Sequence, residues 1–569
     1  MYAGIIDPVD IPTRTQLGYP VCLKTGYIYW VTDSHWDAKK KKTVDKRTAI
    51  GKKANEEGKM YPNKQFESLF GPLDPVVAEI RQSFGTLKAP GTFDNNMAFG
   101  PYAAMMAAFQ AIGAHDALKR AYPLLWHKMF AQALHAVVAE DSTAQLYLGW
   151  SFDNYSGMSK SMSDSEISRL YADIGNDDDS RHVFFQLFRE NFHNLFPETT
   201  ERIVAFDSTN QVTESRNQPC AKYGKSKTGE PLPIINTAMY VDQITGIPIW
   251  YEHFDGNVLD KSQTPYTVEK AVSLGYKKLF LMMDRGYFSQ DAVNALQEQK
   301  IGFGMMMPEV ASITSDTIAM YRDVIRNKSS YLIPEHQIFG CRTTVSIGEH
   351  NLSAYVFYDD DTAKEERDAV NSQLAYFSEE AKKRKRYTEK MAKYFEQRGL
   401  KISKKKADEV KKGEPNFIVE IDDDRTQKIY DEAGFFMMLS NRDLPPVSMI
   451  GIGRGRDQAE KAFRRFKTHF NLSRSYSHNQ ATYTGKMFVA FLGLLMLSAF
   501  AWFCRPILQG KTSATVPSLI AELRRYKMIK KPDGSWMPAY ALNRQQKDVF
   551  DLLKVSQKNL EKQIRELRL

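Results

Sequence analysis

The sequence predicts an α/β protein whose core is a mixed sheet, interrupted once by an insertion and preceded by a helical region. Three observations predict it. Between residues 200 and 308, apolar runs and amphipathic stretches follow the order strand, strand, strand, helix, strand, helix, strand. From 76 to 196, apolar residues recur instead at three- and four-residue spacing, the period of a helix. An apolar strand, GFFMMLSN at 434–441, returns after a long polar interval, so the sheet resumes where the insertion ends.

Composition permits such a fold. With 569 residues, 43% hydrophobic and 25% charged, the chain has room for two to four domains and a sizeable core. A formal charge of +9 tilts expectation toward a polyanionic partner. Cys22, Cys220, Cys341 and Cys504 lie far apart, with no Cys-x-x-Cys pair and no histidine cluster at zinc-ligand spacing. They read as reduced thiols of a cytoplasmic protein. The start, MYAGIIDPVD, lacks a basic stretch followed by an apolar one, so no signal peptide is expected.

In chain order, residues 1–75 read as a β-hairpin module, since YIYWVTDSHW alternates apolar and polar positions and the run Lys39–Lys42 supplies a basic tip. Residues 76–196 read as a helical DNA-binding domain, with Ser163 or Ser165 as the cap ahead of EISRLYADIG. The core spans 197–308 and 431–510. In it, RIVAFD is a strand, INTAMYVDQITGIPIWYEHFDG a hairpin turning at Asp242–Gly246, and TVEKAVSLG a short helix. KKLFLMMD is a buried strand, SQDAVNALQEQK a helix capped by Ser289, and IGFGMMM a further strand. A mixed sheet opened by an antiparallel hairpin in this order is the arrangement of a ribonuclease-H-like fold. The insertion, 309–430, combines strand-like TTVSIG and LSAYVFYD with a polar helical stretch and two cationic clusters, Lys382–Tyr387 and Lys401–Lys406. The DDD triplets at 359–361 and 422–424 read as solvated turns, and GIGRG at 451–455 as a turn before a helix, since it lacks the Gly-Lys-Ser/Thr end of a phosphate loop. Met487–Phe503 is 17 residues without a charge, near the lower limit for a membrane span. Standing alone behind a basic amphipathic helix, it reads as a buried core helix, and no membrane partner is expected. Residues 511–569 read as a helical appendix.

Candidate chemistry follows from three acids. Asp207 and Asp284 each close an apolar run, IVAF and LFLMM, and so are expected at strand ends, where open α/β sheets gather their sites. Metal-dependent phosphoryl transfer needs hard oxygen ligands converging from different elements. Glu460 offers the third. On a continuous helix over 456–470, Arg456, Glu460 and Lys467 share a face, with Phe463 and Arg464 nearby. An acid between two cations suits a site crossed by a phosphate backbone. Strand-end aspartates also cap turns, however, and an Arg–Glu pair four residues apart is a common surface ion pair.

Arg456, three residues, Glu460, six residues and Lys467 together resemble the signature around the last acid of DDE transposases of the insertion-sequence-four family. AFDST and DRGYFS are similar to the contexts of that family's two aspartates, and Tyr223-Gly224-x-Ser226-Lys227, Pro231-Leu232 and GIPIWYEHFDGN to the stretch between them. FRRFK and the apolar helix behind it match in order, and the likeness covers about 200–510. The resemblance implies a ribonuclease-H-like core in which Asp207, Asp284 and Glu460 bind two Mg²⁺, with Mn²⁺ as a substitute. It implies nicking at the element's ends, then attack by the freed 3′-hydroxyl on the other strand or on target DNA. Arg456 and Lys467 would hold phosphates, with Arg464, Arg285 and Lys227 as further DNA contacts. Partners would be the terminal inverted repeats, target DNA and a second copy of the chain in a synaptic homodimer, in a prokaryotic cytoplasm. Two departures stand out: Gly453 occupies the signature's tyrosine position, with Arg454 a candidate replacement, and no tryptophan lies between Asp284 and Glu460 to serve the base-flipping role of some relatives. Two other readings share most of these residues: a ribonuclease-H-like metal nuclease without transposition, and a transposase-derived, non-catalytic DNA-binding protein. Inverted repeats bracketing the gene would favour the transposase.

Overall fold

The structure, a computed structural model, describes residues 8–37, 41–70 and 96–567, apart from 199, 228, 327, 385, 407–409, 411–414 and 511–513. Lys39, Lys40 and Lys385 of the expected basic clusters, and the first part of the helical region through residue 95, therefore lie outside the described residues. The chain divides into two compact units, Met1–Pro90 and Gly91–Leu569.

The first unit is an antiparallel sheet of β1 (Val9–Asp10), β2 (Tyr19–Cys22), β3 (Tyr27–Asp37), β4 (Lys42–Lys53) and β5 (Lys59–Pro62), in the order β1-β5-β4-β3-β2. It is more than one hairpin because the apolar positions of three strands share a small core: Ile28, Trp30, Ile50 and Met60, closed by Phe66 from the helix Lys64–Phe70.

The second unit is built on a ten-stranded sheet. Its centre consists of β7 (Arg202–Thr213), β8 (Ile234–Asp242), β9 (Pro248–Asp255), β10 (Leu279–Met283) and β11 (Gly302–Met306), in the order β9-β8-β7-β10-β11. β7, β8 and β9 are antiparallel neighbours, and β10 runs parallel to both β7 and β11. Every residue of β10 is buried, as the uninterrupted run LFLMM requires of a strand covered on both faces. Ser289 caps the helix Gln290–Glu298 by accepting from the Ala292 N–H at 3.1 Å.

Tertiary pairing changes several local expectations. Asp207 does not end its strand. β7 runs on through STNQVT because Ser208 to Val212 stay paired with β8, and Val212–Thr213 also pair with β18 (Arg474–Ser475). The strand-like pieces expected inside the insertion, β13 (Ile338–Ile347) and β14 (His350–Tyr358), belong to the main sheet, because β14 pairs along β17 (Phe435–Ser440), which pairs in turn with β11. What stands apart is 360–432, where Leu374, Ala381, Phe395, Leu400 and Phe417 form a separate core. The acidic triplets flanking that segment are helix starts. Asp359 accepts from the N–H groups of Asp361 and Thr362, and Asp422 from that of Arg425. Most of GIGRG is likewise helical, since the helix Pro446–Arg454 takes in its first four residues and only Gly455 enters the turn before the next helix. The C-terminal region is not purely helical: Lys527–Lys530 pairs with Trp536–Pro538 and with Asn96–Ala98 in a three-stranded sheet.

The apolar segment near the C-terminus is the helix Gln480–Phe503, long and apolar enough to cross a membrane, yet 78% of its most apolar window is buried inside the fold. It packs against the helices Gly100–Ala111, Trp126–Ala139 and Asp164–Asn176, and against β9. Its crossing with Asp164–Asn176 is set by two glycines. A Cβ on Gly485 would stand 1.9 Å from the Tyr171 carbonyl oxygen, and one on Gly175 would stand 1.8 Å from that of Ala481. The two backbones therefore touch directly. Helix Asp164–Asn176 itself starts at Ser163, whose capping box with Glu166 satisfies two N–H groups.

Candidate active site

The three acids come from three elements. In the parallel pair β7–β10, Phe206 is the partner of Met283, so the next register position sets Asp207 beside Asp284. Neighbouring strands lie about 4.8 Å apart and equivalent positions point to the same face, which brings both carboxylates to one side of the sheet where β10 ends and β7 continues. The floor beneath them is aromatic, with Tyr287 against Phe206 at 4.4 Å and Phe206 stacked on Tyr240 at 4.7 Å.

Glu460 is carried by the helix Asp457–Arg464, which packs over β7 and β8 through Ala459, Ala462 and Phe463. The approach to this helix is closed by Gln243, at the β8–β9 turn, which donates to the Ile452 carbonyl at 3.0 Å. Arg456, just ahead of the helix, bridges two acids: Nη1 lies 3.5 Å from Asp284 Oδ1 and Nη2 lies 3.1 Å from Glu460 Oε1. Burial pushes the Asp207 carboxyl above the ordinary carboxylate range. Lys227, the Ser208 N–H and Arg456 oppose that rise, and Asp284 adds to it. Burial pulls the half-buried Lys467 below the ordinary lysine range, neighbouring Lys227 lowers it further, and Asp207 acts against both. Asp207, Lys227 and Lys467 thus sense one another, as do Asp207, Asp284 and Arg456.

The helix does not continue unchanged to 470 as the sequence suggests. It gives way to a π-helical turn over Arg465–His469. Phe463, Phe466 and Phe470 all bury their rings, and Arg465 turns inward to donate to Ser498 Oγ at 3.4 Å on the apolar helix. A wider turn meets these four demands at once, so the even helical phase linking Arg456, Glu460 and Lys467 holds only to Arg464.

The other expected DNA contacts separate. Lys227 lies beside Asp207 and donates from Nζ to the Ser208 carbonyl. Arg464 is exposed and pairs with no carboxylate among the described residues. Arg285 is exposed and engaged with Glu309. Arg454, the candidate replacement for the missing tyrosine, faces Asp359 at 3.7 Å and His336 at 3.3 Å. A Cβ on Gly453 would meet Met438 Cε, a buried side-chain tip, at 2.4 Å, so any larger residue there displaces a core methionine.

Two groups at the rim escape sequence reasoning. Ser208 Oγ donates to Asp260 Oδ1 at 2.7 Å, tying a fourth carboxylate to the residue that follows Asp207. Asp260 opens the helix Asp260–Ser273 and carries no local mark beyond a favourable charge in a first turn.

The donor chemistry suits a hard divalent cation, being carboxylate oxygens from separate elements. Their arrangement does not yet form a ligand set: among the described residues no three His, Cys, Asp or Glu side chains are gathered closely enough to hold a metal ion. The Arg456 guanidinium lies between two of the acids instead.

Residues 198–496, more than half of the 569-residue chain, match a family model described as a transposase DDE domain. None of the curated proteins matches the chain. Among solved structures, a piggyBac transposase synaptic complex with hairpin DNA is similar at 10% identity, over 71% of this chain and 79% of that one, with a TM-score of 0.31.

Proposed function

The chain belongs to the transposase DDE-domain family, enzymes of DNA cleavage and strand transfer, and from that premise we propose a cut-and-paste transposase acting on the ends of its own bacterial insertion sequence. The insertion-sequence-four family is the closest description of its motifs. The core is ribonuclease-H-like, a reading supported by the order β9-β8-β7-β10-β11 with its antiparallel opening and parallel β7–β10–β11. The enzyme works as a homodimer on two DNA ends, in a prokaryotic cytoplasm.

One observation carries the assignment of the site. Asp207 and Asp284 are register neighbours on one face, and Arg456 ties Asp284 to Glu460 from a third element. In this reading Asp207, Asp284 and Glu460 hold two Mg²⁺, with Mn²⁺ able to replace them. When bound, such ions activate the attacking oxygen and stabilise the leaving one in an in-line displacement. The chain's own groups do the rest. Lys227 and Lys467 keep positive charge beside Asp207, where non-bridging phosphate oxygens would sit. Arg456 offers a two-pronged donor to a phosphate, and Arg464 an exposed charge for the flanking backbone. Arg285 reaches DNA only by leaving Glu309, an exposed pair worth about 0–1 kcal/mol.

The test is cleavage of duplexes carrying the DNA that brackets the gene. Asp207→Ala, Asp284→Ala and Glu460→Ala should each lower divalent-dependent cleavage by more than about 100-fold, beyond the loss typical of outer-shell metal partners, with unfolding midpoints near wild type. Cleavage that survives all three substitutions would sink the assignment.

A further inference from the structure

Among the described residues, Arg456 makes the contacts that join two of the three acids. Its side chain is 21% exposed, whereas those of Asp284 and Glu460 are 34% and 51% exposed. The guanidinium therefore sits within the site while the carboxylates line its mouth. Arginine stays charged at every working pH, and its planar fork matches carboxylate and phosphate equally well.

The backbone under Arg456 has little freedom. A Cβ on Gly455 would lie 2.3 Å from Gln243 Oε1, and Gln243 holds the Ile452 carbonyl on the other side. Ala459, Ala462 and Phe463 anchor the following helix in the core. With the following helix anchored in the core, a change of partner by Arg456 requires only its long side chain to move. A DNA phosphate drawn into this site would meet the same two-pronged donor.

We infer that Arg456 is a positioning residue that exchanges partners: without DNA it neutralises Asp284 and Glu460 and competes with divalent cations for them, and with DNA it turns to a phosphate and releases both carboxylates to the metal. This rests on the proposed metal role of Asp207, Asp284 and Glu460. Its consequence is a coupling. DNA tightens divalent binding, divalent ions tighten DNA binding by the same factor, and the enzyme acquires its metals where substrate is present. Lys227 and Lys467 do not duplicate this role, since neither forms an ion pair with Asp284 or Glu460 among the described residues.

The experiment is calorimetric titration of the full-length protein with Ca²⁺, a hard ion that takes carboxylate oxygens. Arg456→Gln keeps a polar side chain, shortens it and removes its charge. Relative to wild type it should bind Ca²⁺ roughly 5- to 10-fold more tightly, the effect of one adjacent charge in a partly exposed site. Arg456→Lys, a point charge that cannot span both carboxylates, should fall between them. Adding the duplex ends that bracket the gene should tighten Ca²⁺ binding to wild type by a similar factor and leave Arg456→Gln unchanged. Equal or weaker Ca²⁺ binding by both variants, with Asp284→Asn still abolishing it, overturns the exchange while leaving the metal site intact. Ca²⁺ binding indifferent to Asp284→Asn and Glu460→Gln, or undetectable in every protein, overturns the metal reading and the exchange together.

Discussion

Asp242 is the residue whose removal should be felt farthest from its own position. It closes β8, is 2% exposed, and accepts at 2.7 Å from Nη1 of Arg202, itself 5% exposed. Its other oxygen accepts from the Thr245 N–H at 2.8 Å and the Thr245 hydroxyl at 2.7 Å, shaping the β8–β9 turn. Removing one partner of a buried ion pair costs about 3–5 kcal/mol. Arg202 keeps Glu198, the Phe196 carbonyl and the Phe192 ring, so the lower end applies. Two orphaned donors on the nearly buried Thr245 add about 1 kcal/mol each. Asp242→Ala should therefore cost about 5 kcal/mol, and Asp242→Asn, which keeps acceptors for Thr245, about 2–3 kcal/mol. Gln243 follows directly and holds Ile452, so Asp242→Ala should also speed amide exchange in 446–464, ahead of and through the helix bearing Glu460. Urea unfolding followed by the β8–β9 amides measures the first effect, and exchange at 446–464 the second. The reasoning fails if Ala costs no more than Asn, or if either costs less than about 1 kcal/mol.

Two further outcomes follow from packing and burial. Gly485→Ala drives a methyl against the Tyr171 carbonyl across a backbone-to-backbone crossing; it should cost about 1–3 kcal/mol or more, read from the urea midpoint, and a neutral result would refute the close crossing. His135 is 1% exposed, and burial pulls it from 6.5 down to about 4, with Asp141 opposing. Since its folded pKa lies below the unfolded one, its contribution is fully present above pH 6.5 and is lost as pH falls toward 4. At about 1.4 kcal/mol per unit this amounts to roughly 3 kcal/mol; His135→Phe should flatten the acid limb of a stability–pH curve by that amount, leaving the share of the likewise buried His253.

Much of the framework was legible in the residues because its causes are local. A five-residue apolar run marks β10 as a covered strand, Ser289 caps the helix it precedes, and the order of five strands and two helices recurs unchanged along the chain. Asp284 follows its strand as its position after LFLMM suggests. Asp207 was misread because STNQVT is polar by composition, yet pairing with β8 and β18 satisfies its backbone and keeps it in the sheet. No periodicity in the chain announces such partners.

The sequence by itself determined the strand and helix order of the core, the cap at Ser289, and which acids and cations stand near one another along the chain. Those choices rest on turn chemistry, apolar period and capping, all settled within a few residues. The tertiary structure alone decided that β13 and β14 extend the main sheet, that the helix beyond Arg464 winds as a π turn, and that Asp260 is held by Ser208 of β7. It also placed the guanidinium of Arg456 between Asp284 and Glu460. Each of these depends on partners far apart in the chain, where long-range pairing, inward-facing rings and charge override what the local pattern can specify.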